Sequence, residues 1–141
     1  LRGASVIGNR VKPDIAIVVE GTTCSDVPGV EPHLVSTRMG AGPALTIMDR
    51  TAVCDKNLLK QISSVADKKN IPYQYKQTTT GGNDAGRIQT SGKGIRVISV
   101  SVPCRYIHSP VSVMSFKDFE NCKKLINSVL EYYNKEDGTN V

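Results

Sequence analysis

The chain has 141 residues, 39% of them apolar, and 18 Lys and Arg against 13 Asp and Glu, which gives a net charge of +5. These values are typical of a single globular domain that buries roughly 70% of its unfolded surface without disulfide or metal cross-links. The basic residues are spread along the chain with few aromatic residues, and no apolar run reaches the ~18 residues of a membrane span, which argues against nucleic-acid and membrane partners.

The first half of the chain alternates helix and strand patterns. A short helix is predicted over residues 2–10, with Ala4 and Ile7 on one face and Pro13 as the break. The continuous β-branched run 15–19 predicts a strand that is buried on both faces of a largely parallel sheet. Residues 22–43 show no period and predict a long surface connection, which leads into a short strand at 45–48.

The second half continues the alternation. Asp55 is predicted to cap a helix that ends near Asn70, and a strand at 73–77 leads to a short helix beginning at Asp84. A further strand is predicted at 95–102. Ser115 and Asp118 form a capping-box pattern before a long amphipathic helix, and the polar segment from residue 135 is expected to fray. Strands that alternate with helices predict an α/β fold with helices on both faces of the sheet.

Four cysteines are present, and no two of them form a C-x-x-C pair. This spacing does not indicate a zinc ribbon or a redox motif, so we expect four reduced thiols. The N-terminal residues lack the apolar segment of a secretory signal. The sequence therefore predicts a cytoplasmic protein.

Two polar side chains follow predicted strands at the edge where ligands bind in open α/β sheets. Glu20 comes directly after the first apolar run, and His108 lies on the loop that follows the last strand. A carboxylate and an imidazole at one edge are candidate ligands for zinc or cobalt. Taken alone, Glu20 also fits a helix cap or an ion pair, and His108 also fits an ordinary hydrogen-bonding loop residue.

The turn at residues 81–85 places two glycines before a predicted helix. Such a turn exposes backbone N–H groups that suit an anion or a substrate carbonyl, and it also fits a plain tight turn. It lacks the lysine of a P-loop and the G-x-G-x-x-G spacing, so a nucleotide site is not expected.

Six segments in this order resemble a family of dinuclear-metal aminopeptidases, which includes glutamyl, deblocking and tetrahedral aminopeptidases and members described as cellulase M endoglucanases. The segments are residues 17–23, 26–29, 39–43, 71–74, 81–85 and 103–110. The resemblance covers nearly the whole chain but only the C-terminal part of the family's longer polypeptide. It implies that residues 1–141 are the C-terminal part of the catalytic domain, and that the upstream catalytic part and an inserted small β domain precede Leu1.

The resemblance also implies a site for two divalent metal ions. Glu20 matches an acidic ligand to one of two divalent metal ions, zinc or cobalt, and His108 matches the histidine ligand to the other. The bridging aspartate, the first histidine and the glutamate general base lie upstream of Leu1, so no catalytic residue is expected in this chain. Substrate-binding roles are expected for the remaining matched positions, which are Gly81, Gly82, Asp84, Arg105 and Tyr106.

The resulting hypothesis is a fragment of a cytoplasmic metallo-aminopeptidase, a hydrolase that removes N-terminal residues from peptides and forms homo-oligomers at full length. With two ligands present, this chain alone is expected to bind metal weakly or not at all and to be inactive. The alternatives are a cellulase M-type endoglucanase and a catalytically silent binding module. A glycosidase needs two opposed carboxylates ~5–10 Å apart, and the sequence does not supply an evident pair.

Overall fold

A computed structural model describes the backbone of residues 1–137 and the side chains of residues 1–135. Its elements alternate along the chain as the sequence predicts. They are α1 (Arg2–Val11), β1 (Ile15–Thr23), a short 3₁₀ helix (Pro32–Leu34), β2 (Ala44–Thr46), α2 (Lys56–Lys68), β3 (Gln74–Tyr75), α3 (Asp84–Gln89), β4 (Arg96–Arg105), β5 (Val113–Met114) and α4 (Phe116–Asp137). The helical backbone of α4 continues past residue 135, and the rest of the segment expected to fray, residues 138–141, lies outside the described residues.

The strands form one mixed sheet in the order β1-β4-β2-β3, with β5 paired to the end of β4. β1 and β4 run parallel over nine residue pairs, from Ile15 with Arg96 to Thr23 with Cys104. β2 is parallel to β3 but antiparallel to β4. The α/β fold is confirmed. β2 and β3 run in the opposite direction to β1 and β4, and the sequence does not predict this because an apolar run indicates a strand but not its direction.

Helices cover both faces of the sheet. One core cluster joins α2 and α4 to the sheet through Leu58, Ile62, Ile98, Leu125 and Val129. A smaller cluster joins α1 and α3 to the other face through small and β-branched residues, which are Ala4, Ala85, Ile88 and Val97. Helices on both faces bury most of β4, and the candidate site lies where β1 and β4 end.

β1 differs from its prediction. Residues 15–18 of the apolar run are only partly buried, and 54% of Val19 is exposed, because within the described residues β1 pairs with β4 on one side and lies at the edge of the sheet. The apolar run therefore identifies the strand correctly but overstates its burial in this chain.

The start of α4 also differs in detail. Ser115 Oγ accepts a hydrogen bond from the Asp118 backbone N–H at 3.3 Å, which is half of the predicted capping box. The Asp118 carboxylate instead accepts from the backbone N–H groups of Gly40, at 2.6 Å, and Gly42, at 2.9 Å. Asp118 is completely buried, so this long-range contact ties the connection before β2 to the last helix.

None of the helices in the described part of the chain is both long and apolar enough to cross a membrane. The four cysteines, Cys24, Cys54, Cys104 and Cys122, are free thiols, as the sequence predicts.

Candidate functional site

A polar cleft of ≈ 130 Å³ opens beside the ends of β1 and β4, and we call it the site cleft. Its lining comes from the end of β1, the turn after β2, the β3–α3 loop and the loop after β4. The lining residues are Glu20, Gly21, Thr22, Thr23, Asp49, Lys76, Thr80, Gly81, Gly82, Asn83, Ile107 and His108. The structure thus brings Glu20 and His108, the two residues proposed as metal ligands, to one cleft.

Asn83 lies beside Glu20 in the site cleft, and its amide has a fixed orientation. Asn83 Nδ2 donates to Ser99 Oγ at 2.8 Å, and Asn83 Oδ1 accepts from the Ala85 backbone N–H at 2.8 Å and caps α3. Burial raises the pKa of Glu20 from its ordinary value, and the neighbouring Asn83 amide acts in the opposite direction. The cleft therefore presents a partly buried carboxylate next to a fixed amide.

His108 lies on a tight turn with unusual backbone geometry. Tyr106 and His108 both have positive φ, 58° and 66°, although neither is glycine. The turn is closed by Ser109, whose N–H and Oγ both bond to the Tyr106 carbonyl. A non-glycine residue in the left-handed region costs of the order of 1–3 kcal/mol of conformational free energy, and such residues concentrate at functional sites. The backbone of this turn is therefore typical of a loop that places a functional residue, here His108.

Arg105 anchors this loop at the end of β4. Its Nε donates to Asp26 Oδ1 at 2.7 Å and its Nη2 donates to Asp26 Oδ2 at 3.1 Å, which is a bidentate pair. Asp26 also accepts from the Met39 N–H at 2.9 Å and from Cys24 Sγ at 2.8 Å. Arg105 thus joins the His108 loop to the long connection after β1. Arg105 and Tyr106 are not among the cleft-lining residues, and their substrate-binding role stays a prediction.

The pairing of Arg105 with Asp26 predicts that the free energy of unfolding depends on pH. The Arg105 hydrogen bonds hold the pKa of Asp26 well below its ordinary value. A carboxyl with a lowered folded-state pKa contributes stability that is complete above its unfolded-state pKa of about 4 and is lost as the pH falls below it. We expect the wild-type free energy of unfolding, measured by urea titration, to fall more steeply between pH 5 and pH 2 than that of Asp26→Asn. The exposed Glu31→Gln is the matched control, and parallel curves for wild type and Asp26→Asn would contradict the assignment.

The two glycines of the β3–α3 loop both line the site cleft. Gly81 has a φ of +79°, and a Cβ on Gly82 would approach Thr51 Cγ2 to 2.5 Å, so this backbone shape and its contact with the turn after β2 require glycine. Asp84, in the first turn of α3, lies outside the cleft lining. The substrate-binding roles of all three stay predictions.

Two charged residues of the site cleft were not singled out by sequence reasoning. Asp49 is 6% exposed, and its Oδ1 accepts from Thr51 N, Thr51 Oγ1 and Ala52 N, while its Oδ2 has no hydrogen-bond partner. Lys76 follows β3, and its Nζ donates to the Thr80 carbonyl at 2.8 Å. The only available signal was position: Asp49 directly follows the predicted strand 45–48, as Glu20 follows the run 15–19, and Lys76 lies near the end of the predicted strand 73–77.

The donor chemistry of the site cleft fits part of a metal centre. Carboxylate and imidazole are ordinary ligands of zinc and cobalt. Among the described residues, however, no group of three or more His, Cys, Asp or Glu side chains is placed to hold a metal ion. A complete centre therefore needs ligands in addition to Glu20 and His108.

Comparison with known proteins identifies the family. The profile of the M42 glutamyl aminopeptidase family matches residues 1–125, and the chain belongs to this family. It is 40% identical over 126 residues to an aminopeptidase candidate of Acetivibrio thermocellus, and this match covers 89% of the chain and 38% of that protein. It is 30% identical over 140 residues to the lysyl aminopeptidase of Pyrococcus furiosus, which covers 99% of the chain and 39% of that protein.

Solved structures agree with this assignment. The TET aminopeptidase of the marine sediment archaeon Thaumarchaeota archaeon SCGC AB-539-E09 is 39% identical with a TM-score of 0.87, over 91% of this chain and 36% of that one. The Pyrococcus horikoshii TET1 peptidase, which can assemble into a tetrahedron or a large octahedral shell, is 29% identical with a TM-score of 0.76, over 91% and 36%. An endoglucanase of Thermotoga maritima is 36% identical with a TM-score of 0.68, over 89% and 36%. The chain thus spans less than two fifths of the length of each of these proteins.

Proposed function

We propose that residues 1–141 form the C-terminal part of the catalytic domain of a metal-dependent aminopeptidase, a hydrolase that releases N-terminal residues from peptides. The observation that carries the proposal is the position of Glu20 and His108 in one cleft of a chain that belongs to the M42 family. The upstream catalytic part and the inserted small β domain, which the family resemblance places before Leu1, complete the enzyme in this proposal.

Glu20 and His108 would each hold one of two divalent ions, zinc or cobalt, with the remaining ligands and the general base supplied upstream. Ions bound in this way polarise the scissile carbonyl and lower the pKa of a bound water. Asn83 lies next to the Glu20 carboxylate, and the strained turn at residues 106–109 sets the backbone position from which His108 enters the site cleft. Because this chain supplies one ligand to each ion and a catalytic zinc takes three protein ligands, the isolated chain binds metal weakly or not at all and is inactive.

Substrate contacts are proposed for the β3–α3 loop and the end of β4. Gly81 and Gly82 bring backbone N–H groups to the site cleft beside Glu20, where they suit a peptide carbonyl. Asp84 follows this loop directly. Its negative charge also raises the pKa of Glu20, although burial is the main cause of the shift. Arg105 and Tyr106 carry the His108 loop and act on the substrate through its position.

An endoglucanase is the less supported alternative. A glycosidase needs two opposed carboxylates with free oxygens, and the second acid of the site cleft, Asp49, has one oxygen committed to three donors of its own turn and the other buried. A catalytically silent binding module is the remaining alternative, and it differs from the aminopeptidase in predicting that no extension of the chain restores activity.

We also propose that the full-length protein is a cytoplasmic homo-oligomer. The four free thiols are typical of a reducing compartment, and the related TET1 peptidase assembles into closed shells.

The test is metal-dependent hydrolysis of aminoacyl chromogenic substrates. The full-length polypeptide, in which the upstream catalytic segment precedes Leu1, is expected to hydrolyse them when zinc or cobalt is added, and a chelator is expected to abolish the activity. The 141-residue chain is the control and is expected to be inactive. A full-length polypeptide that is inactive on an aminoacyl panel but releases sugar from a cellulosic substrate would favour the endoglucanase, and activity on neither would favour the silent module.

A further inference from the structure

A second cavity lies at the opposite end of the sheet from the site cleft, and we call it the basic cavity. Its volume is ≈ 380 Å³, which is larger than the ≈ 130 Å³ of the site cleft and within the usual range of small-molecule sites. Its walls are the end of α1, the turn before β1, the α3–β4 loop and the start of β4. The charged residues of these walls are Lys12, Asp14, Lys93 and Arg96.

The basic cavity is separate from the site cleft. β1 and β4 are parallel, and Ile15 pairs with Arg96, so the basic cavity lies where both strands begin. Thr23, at the other end of β1, lines the site cleft. A rise of ~3.3 Å per strand residue places Thr23 ~26 Å from Ile15. A small ligand in the basic cavity is therefore out of contact with the end of β1.

The basic cavity carries more positive than negative charge. Lys12, Lys93 and Arg96 supply three cations, and Asp14 supplies the one carboxylate of the lining. Within residues 1–135, none of these four side chains takes part in a hydrogen bond or in an ion pair within 4.0 Å. An ammonium has three N–H donors and a guanidinium has five. The cavity therefore presents a net charge of about +2, with donors that no acceptor among the described residues uses.

Packing between α1 and the α3–β4 loop fixes the backbone of this cavity. A Cβ on Gly8 would lie 2.5 Å from Ser91 Oγ, so the helix and the loop make a close contact that requires glycine. Ser91 is buried, and its carbonyl accepts from the Gly94 N–H at 2.9 Å, which closes a turn around Lys93. The Lys12 N–H donates to the Gly8 carbonyl at 3.1 Å and caps α1. The backbone that carries both lysines is therefore held by the fold before any ligand binds.

The charge and the size of the basic cavity favour a phosphate group over a single carboxylate. A phosphate monoester carries about −1.5 to −2 charges at pH 7, which balances the net charge of the lining, whereas a carboxylate carries one. A guanidinium can bond two phosphate oxygens at once, and an ammonium acts beside it as a point charge. The volume of the cavity leaves room for an organic group attached to the phosphate.

We propose that the basic cavity binds a small molecule that bears a phosphate group, through Lys12, Lys93 and Arg96. This second site goes beyond the proposed aminopeptidase function and does not depend on it. Lys12 and Lys93 also follow the C-terminal ends of α1 and α3, where a positive charge stabilises the helix dipole. A role at the helix ends alone predicts that the cavity binds no ligand.

NMR titration of the 141-residue chain tests the inference. In ¹H–¹⁵N spectra, glucose 6-phosphate and glycerol 3-phosphate are expected to shift the backbone signals of residues 12, 14 and 91–96 in a saturable way. Glucose and glycerol, which lack the phosphate, should leave these signals unchanged, and citrate, which carries carboxylates alone, should bind more weakly than the esters. Lys93→Gln and Arg96→Gln are each expected to weaken ester binding roughly tenfold, the loss typical of a charged hydrogen bond.

Lys68→Gln is the matched control. Lys68 also lies in the last turn of a helix and is exposed, but it lines a smaller cavity of ≈ 80 Å³ that contains Glu131. This variant should bind both esters as the wild type does. Urea unfolding gives a second measurement, because a ligand that binds the folded state raises the urea midpoint. The rise should be present in the wild type and in Lys68→Gln, and much smaller in the double variant Lys93→Gln/Arg96→Gln.

Four results would each overturn the inference. They are the absence of binding by both esters, binding of glucose or glycerol as tight as that of its phosphate, tighter binding of citrate than of both esters, and wild-type ester binding by the double variant. The first of these leaves Lys12 and Lys93 with a role at the helix ends alone.

Discussion

Replacing either Glu20 or His108 with alanine is expected to reduce metal-dependent hydrolysis by the full-length polypeptide at least ~10³-fold. The two residues would hold different ions, so each substitution removes part of the electrostatic stabilisation of the reaction. Losses of several kcal/mol are typical when a metal hydrolase loses a ligand, and each 1.4 kcal/mol is about a tenfold change in rate. The measurement is kcat/KM on an aminoacyl p-nitroanilide with zinc or cobalt in excess.

The chain supplies matched controls for this experiment. Glu31 and His33 are the same residue types, are exposed, and lie at the 3₁₀ helix outside the site cleft. Alanine at these positions should change the rate less than twofold. Metal content should fall in the Glu20 and His108 variants and stay constant in the controls. If Glu20→Ala and His108→Ala retain wild-type activity and metal content, the ligand assignment is wrong and the metal is held elsewhere.

Asp118→Ala is expected to lower the free energy of unfolding by about 3 kcal/mol. The substitution removes two charged hydrogen bonds, to the N–H groups of Gly40 and Gly42, and leaves the buried Gly42 donor unpaired. It also removes a negative charge from the first turn of α4, where the helix dipole favours one. Urea unfolding of the 141-residue chain at pH 7 is the measurement.

Two further variants separate these causes. Asp118→Asn keeps one acceptor oxygen and the side-chain shape, so its loss should be smaller than that of alanine. Lys117→Ala changes the neighbouring exposed residue of the same helical turn and should cost less than about 0.5 kcal/mol. If all three variants unfold at the same urea concentration as the wild type, the buried contact does not stabilise the fold.

The elements could be predicted because their causes are local. Asp55 accepts from the Leu58 N–H at 2.8 Å and caps α2, as its position before an amphipathic run indicates. Gly82 and Asn83 mark the start of α3 in the same way. The direction of β2, the short β5 and the edge position of β1 depend on which segments meet in space, and a hydrophobic pattern does not contain that information.

In the site cleft, too, the residues that could be predicted are those whose signal is local in the sequence. Glu20 and His108 were found because each follows a recognisable strand, although their ligand roles came from the family resemblance rather than from spacing. Asp26 lies in the matching segment 26–29, but no local pattern predicts its pairing with Arg105, which joins positions 79 residues apart in the sequence. Lys76 and Asp49 were missed because a charged residue within or directly after a predicted strand is ordinary, and its significance depends on the neighbours that tertiary folding brings to it.

The pairing of β1 with β4 has a consequence for how the chain folds during synthesis. Ile15 pairs with Arg96, which is synthesised about eighty residues later. The backbone N–H groups of Gly40 and Gly42 bond to Asp118, which is more than seventy residues further along the chain. On the ribosome, β1 is therefore complete long before β4 has emerged, and the side of β1 that pairs with β4 stays unpaired in that interval. Such long-range pairings slow folding and favour aggregation of intermediates. Nascent chains arrested before residue 96 should therefore depend on chaperones far more than chains released after residue 118.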